Sequence, residues 1–146
     1  MRVLLDTCVL SEIRRANSNP SVRNAVGRIP GSDLYISALT VGELAKGIAL
    51  LDRGRRKREL EDWLIGLQEQ FARHILPVDS EIAHLWGEIA ARERKNGRQL
   101  PAVDGLIAAT ALRHGLTLMT RNTSDFQASG VPLVNPWPPT GVHEAD

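Results

Sequence analysis

The chain has 146 residues, 42% of them hydrophobic, with 18 Lys and Arg against 17 Asp and Glu for a formal charge of +1. That length suits one domain with a real core, and the near-neutral balance excludes a strongly polyanionic or polycationic chain without excluding nucleic-acid binding. One cysteine, Cys8, excludes a disulfide framework, and no stretch reaches the roughly 18 apolar residues of a membrane span, so a soluble cytoplasmic protein is expected.

Val3-Leu4-Leu5 reads as a buried first strand that ends in Asp6, too soon charged for a signal peptide. Val9, Leu10 and Ile13 follow at helical spacing, and Asn19-Pro20 predicts an N-cap and first turn of a helix reaching about Arg28. Pro30-Gly31-Ser32 breaks the chain before a second strand at Leu34-Tyr35-Ile36. Thr40 is expected to open a longer helix, with Val41, Leu44, Ile48 and Leu51 in one stripe. After Gly54 a second helix carries Leu60, Trp63, Leu64, Leu67 and Phe71 on one face, suggesting a helical hairpin. Ile75 to Val78 reads as a third extended segment, and Asp79 or Ser80 caps a helix faced by Ile82, Leu85, Trp86 and Ile89. Pro101 starts another helix, with Val103, Leu106 and Ile107 inward, that ends at Gly115. Strands are expected at 116–120 and 131–134, before the tail Asn135-Pro136-Trp137-Pro138-Pro139, which suits neither helix nor central strand. Helices alternating with short buried strands predict an α/β fold with a mainly parallel sheet, one domain over 1–146 with a Pro-rich tail from 134.

Several chemistries are missing. There is no G-x-S-x-G elbow and no G-x-G-x-x-G turn. His74, His84, His114 and His143 make no H-x-x-x-H pair. What remains is four carboxylates at structural junctions. Asp6 ends the first strand, where an open parallel sheet binds its ligands, although the same acid can simply cap the next helix. Glu43 stands three residues after Thr40, which also reads as a capping box. Asp104 lies in the first turn of its helix beside the apolar stripe, a position that also complements the helix dipole. Asp125 follows the strand at 116–120 and reads equally as a loop acid that begins a turn. Such carboxylates cannot cluster in ionised form without a cation, and an all-oxygen site suits Mg²⁺ or Mn²⁺. Hydrolysis of a phosphodiester is the natural chemistry of such an ion.

The order Leu4-Leu5-Asp6-Thr7, Thr40-Val41-Gly42-Glu43-Leu44, Pro101-Ala102-Val103-Asp104-Gly105 and Leu118-Met119-Thr120-Arg121-Asn122-Thr123-Ser124-Asp125-Phe126 resembles a PIN domain. The resemblance runs from Val3 to Trp137 and is strongest to the VapC-type toxins of bacterial toxin–antitoxin pairs, in particular their FitB-like branch. It implies a PIN-like three-layer sandwich and a metal-dependent endoribonuclease inhibited by a cognate, VapB-like antitoxin. It implies a homodimer within a larger antitoxin complex. It carries the family's acidic quartet onto Asp6, Glu43, Asp104 and Asp125, holding one or two Mg²⁺ or Mn²⁺ ions, with Glu43 acting directly or through water. Thr7, Thr120, Arg121 and Asn122 fall on the supporting positions. Thr7 and Thr120 would bond a carboxylate or the phosphate, and Arg121 would contact RNA or pair with Asp125.

The basic run Arg53-Gly54-Arg55-Arg56-Lys57-Arg58 reads as an RNA backbone contact, or as a solvated helix start balanced by Glu59, Glu61 and Asp62. Arg92, Arg94, Lys95 and Arg98 form a second basic group ahead of Asp104. Two other functions compete with a toxin: a PIN nuclease of RNA processing, and a non-catalytic nucleic-acid-binding module whose acids are only caps. A phosphatase of the Asp-x-Asp kind is disfavoured because Cys8 stands where its second acid belongs.

Overall fold

Alternate residues of the short strands are buried in opposite directions, and this decides the layering. A computed structural model describes residues 1–139; residues 140–146, with His143 and the end of the Pro-rich tail, lie outside the described residues. Strands β1 (Val3–Leu5), β2 (Leu34–Ser37), β3 (Ile75–Leu76), β4 (Thr117–Met119) and β5 (Leu133–Val134) form one sheet in the order β3-β2-β1-β4-β5. Every pairing is parallel. Side chains alternate across a strand. Val3, Leu5, Ile36 and Met119 therefore enter one core cluster, while Leu4, Tyr35 and Leu118 enter the other.

The first cluster is roofed by α1 (Thr7–Ile13), α2 (Pro20–Gly27), α3 (Ala38–Ala49) and α4 (Arg55–Gln70). Leu44 and Ile48 of α3 meet Leu64 and Leu67 of α4, so the expected hairpin closes over the sheet, with Phe71 buried just beyond α4. The second cluster is roofed by α6 (Ala102–His114) and the short α7 (Thr123–Phe126). Outside α6 lies α5 (Ser80–Lys95), joined to it through Ile82, Ile89 and Ala109. The result is the three-layer α/β arrangement expected.

Several features differ from the expectations, and the strands expected at 75–78, 116–120 and 131–134 are shorter, at Ile75–Leu76, Thr117–Met119 and Leu133–Val134. The longer helix opens at Ala38, straight off β2, with Ser37 as its N-cap, so Thr40 is its third residue rather than its cap. Pro101 is the N-cap of α6 and not its first residue. Helix α6 is buried well beyond one stripe, at Gly105 and from Ile107 through Ala111, because it is pressed between the sheet and α5. Asp125 lies in a short helix rather than in an open loop. The second basic group is partly structural: Arg98 bonds the buried Glu93 at 2.8 Å, and Arg92 donates to the carbonyl of Ala128 at 3.4 Å. Among the described residues no helix is long and apolar enough to cross a membrane.

Candidate active site

The register of β1 against β4 builds the centre of the site. Leu5 pairs with Met119, so the next residues, Asp6 and Thr120, emerge side by side at the carboxyl edge of the sheet. The backbone continues the match, with Asp6 N–H donating to Met119 O at 3.0 Å. This is also where the chain order reverses: β2 and β3 extend to one side of β1, and β4 and β5 to the other. Such a switch point opens a crevice outside the strand ends.

Asp6 is 7% exposed and fully engaged. Its Oδ1 accepts the Thr7 N–H at 2.9 Å, which caps α1, and its Oδ2 accepts the Thr120 hydroxyl at 2.8 Å. Capping and site geometry are thus the same interaction, and one reading did not exclude the other. Thr120 is itself completely buried, and its oxygen accepts the Asn122 backbone N–H at 3.1 Å. That contact sets the turn that leads from β4 into α7. Cys8 Sγ lies 3.9 Å from Asp6 Oδ2 and 3.7 Å from the Thr120 hydroxyl. Burial pushes its thiol above the ordinary range, and the Asp6 charge adds to this, so it stays protonated.

Glu43 is not the acid of a capping box. Ser37 Oγ takes the Leu39 N–H at 3.0 Å, while Thr40 Oγ1 is buried without a partner. Glu43 instead accepts the Thr7 hydroxyl at 2.6 Å through Oε1. Thr7 thereby ties α3 to the residue next to Asp6. Asp104, half-buried in the first turn of α6, has its carboxyl raised above the usual range. Burial is the main cause, followed by the charges of Asp6, Asp125 and Glu43 in that order. Asp6, Asp125 and Glu43 are therefore each within electrostatic reach of Asp104. They are not yet closed on a point. Among the described residues no three His, Cys, Asp or Glu side chains stand close enough to share one ion as placed. The donor chemistry nonetheless fits a hard divalent cation, since these acids are oxygen donors with no thiolate or imidazole among them.

The supporting and basic residues sort themselves. Arg121 is exposed and lies over the Trp137 ring, 5.1 Å from its centroid. Among the described residues it makes no ion pair with Asp125. Arg55 is paired with Glu59 at 2.8 Å. Lys57 bonds the carbonyls of Ala49 and Leu51 across the α3–α4 connection. Arg53 and Arg58 are exposed, and neither lines the hollows beside the acids. Arg56 does: it borders a groove of ≈ 240 Å³ that also contains Thr7 and Glu43. Sequence reasoning passed over Arg14, which lines the same groove from the end of α1. The signal was available, since Arg14-Arg15 closes the helix that starts directly after Asp6.

The PIN domain family model matches residues 3–129. Over 136 residues the chain is 40% identical to Toxin FitB of Neisseria gonorrhoeae, covering 92% of this chain and 98% of that protein. Over 138 residues it is 35% identical to a VapC ribonuclease of Sinorhizobium fredii, covering 94% and 99%. Among solved structures it is similar to FitAB bound to an IR36 DNA fragment, with a TM-score of 0.88, 37% identity, and coverage of 97% of this chain and 99% of that one.

Proposed function

The chain belongs to the PIN-domain family, and on that footing we propose that it is the endoribonuclease toxin of a toxin–antitoxin pair. The observation that carries the reading is the seating of Asp6 between the Thr7 N–H and the Thr120 hydroxyl, with the charges of Asp6, Asp125 and Glu43 all acting on Asp104. Asp6, Asp104 and Asp125 would hold one or two Mg²⁺ or Mn²⁺ ions, with Glu43 joining directly or through water. When bound, such an ion offsets the charge that builds on the phosphodiester oxygens and makes water more acidic.

The chain's own residues do the positioning. Thr120 and the Thr7 N–H fix both oxygens of Asp6, so this carboxylate is held without adjustment. Thr7 engages Glu43 Oε1. Glu43 is exposed, and its Oε2, for which the described residues provide no donor, would orient the attacking water by accepting a hydrogen bond from it. Asn122 holds the turn through its backbone, and Arg121 is supported on Trp137. The relatives' names and the FitAB–DNA complex support an antitoxin as partner within a larger assembly; a VapB-like antitoxin and a toxin homodimer complete the reading. A single cytoplasmic domain suits this role.

The test is to express the chain alone and map RNA 5′ ends, with Asp104→Asn beside the parent. The parent is expected to arrest growth and create new 5′ ends. Asp104→Asn should lower cleavage by at least about 100-fold with an unchanged circular dichroism spectrum. Equal cleavage by the folded variant would refute the assignment.

A further inference from the structure

Along α1, lined by Cys8, Ser11 and Trp137 among others, lies a hollow of ≈ 470 Å³. Arg14, Arg15, Arg56 and Arg121 all border it. They come from three separated stretches of the chain: the end of α1, the start of α4, and the turn after β4. Among the described residues no carboxylate pairs with Arg14, Arg56 or Arg121. The rim acid, Glu12, is already engaged: it accepts the Asn19 N–H at 3.0 Å and lies 3.9 Å from Arg15. Like charges gathered this way repel, and Arg14 records the effect. Its guanidinium is held below the ordinary range, first by burial and then by the charges of Arg56 and Arg15. Folding therefore brings together Arg14, Arg56 and Arg121, which no carboxylate among the described residues neutralises. An anion from outside would relieve that repulsion.

The position says which anion. Ser11, Arg14 and Arg56 border this hollow and also the groove that holds Thr7 and Glu43, so the two adjoin. A strand whose scissile phosphate sits at the acids must carry further phosphates along that groove. We propose that the hollow is a phosphate subsite for the RNA backbone, in which Arg14, Arg56 and Arg121 grip a phosphate adjoining the scissile one. Guanidinium forks suit phosphate oxygens, and stacking on Trp137 fixes the plane of the Arg121 fork. The contact fixes register on the strand and reads no base. The inference rests on the ribonuclease reading above.

The experiment measures binding of a short labelled single-stranded RNA of mixed sequence to the full chain carrying Asp104→Asn, in Mg²⁺, across a salt series. Added singly, Arg14→Gln, Arg56→Gln and Arg121→Gln should each weaken binding about tenfold. Between them they should flatten the plot of log K against log salt by about 0.7, the share of one phosphate on a single strand. Arg14→Lys should restore most of the slope. Arg73→Gln, on an exposed residue beyond the far end of α4, should bind within about twofold of the parent. Thermal melts identify any variant that fails to fold, and Arg14→Lys then carries the comparison. Unchanged affinity and slope in folded variants overturn the subsite while the parent's cleavage stands. A loss of polyglutamate binding with RNA binding intact also overturns it, in favour of an acidic protein partner. A parent chain that neither cuts nor binds RNA removes the ribonuclease reading and this inference with it.

Discussion

Thr120 is fully buried, and its hydroxyl donates to Asp6 Oδ2 at 2.8 Å. Replacing it with the isosteric valine keeps the volume and removes the donor. A buried carboxylate oxygen then has lost its partner, which costs about 1–3 kcal/mol. Thr120→Val should therefore lower both thermal stability and RNA cleavage, while Thr120→Ser keeps most of each. Melting curves and a cleavage assay on the two variants decide it; parity of valine and serine in both would mean that the bond positions nothing. Gly105 meets a different constraint. A Cβ there would stand 2.7 Å from Trp86 Cδ1 and 2.8 Å from Trp86 Nε1. Gly105→Ala displaces Trp86 or forces α5 and α6 apart, and should cost about 1–3 kcal/mol, read from chemical denaturation. Being next to Asp104, it should also impair cleavage.

At the level of elements, the start of α3 separates what the sequence revealed from what it hid. The spacing from Thr40 to Glu43 fits a capping box, yet β2 runs into the helix with no intervening loop and Ser37 becomes the cap. Ser37→Ala should cost about 1 kcal/mol. Thr40→Val should be neutral or stabilising, because its buried hydroxyl has no partner to lose. A capping box would give the reverse order in the same denaturation series. The strands, the hairpin and the order of acids were legible because burial period and chain punctuation are local. The joining of Thr7 to Glu43 was not, since it depends on how α3 lies against α1, 36 residues apart in the chain. The place of Arg14 at the end of α1 was legible, but its gathering with Arg56 and Arg121 was not, because only the fold brings them to it.

The α5–α6 connection carries its own pH signature. Glu93 is 3% exposed, and its bond to the Arg98 side chain, with that guanidinium's charge and that of Arg92, holds its carboxyl below the usual range against the effect of burial. An acid with a lowered pKa in the folded state contributes stability above its unfolded pKa and loses it as pH falls through the folded one. Stability should therefore decline from about pH 5 downward, and Glu93→Gln should flatten that part of the profile. An acid limb of the same steepness in Glu93→Gln would assign the loss to other carboxylates.

On the scale of the whole molecule, the charge of +1 divides unevenly. If four of the 17 acids are neutralised by cations, 13 acids face 18 bases, and the loaded protein is a basic shell around a filled acidic notch. Without a cation, the charges of Asp6, Asp125 and Glu43 add to burial in raising the Asp104 carboxyl. A divalent cation should therefore stabilise the fold as well as enable cleavage. Binding only the native state at ten times its Kd, it adds about 1.4 kcal/mol, or about 3–5 °C in Tm for a chain of this size. Asp104→Asn relieves the repulsion without a metal, so it should melt higher than the parent in EDTA and respond less to Mg²⁺. The measurement is a thermal melt of both proteins with EDTA and with Mg²⁺. Equal Mg²⁺ responses in the two would separate the acid cluster from the metal and return Asp104 to the role of a helix-end charge. A smaller response in the variant, together with its higher starting point, ties stability and site to the same repulsion: the fold tolerates four converging acids because a cation completes them.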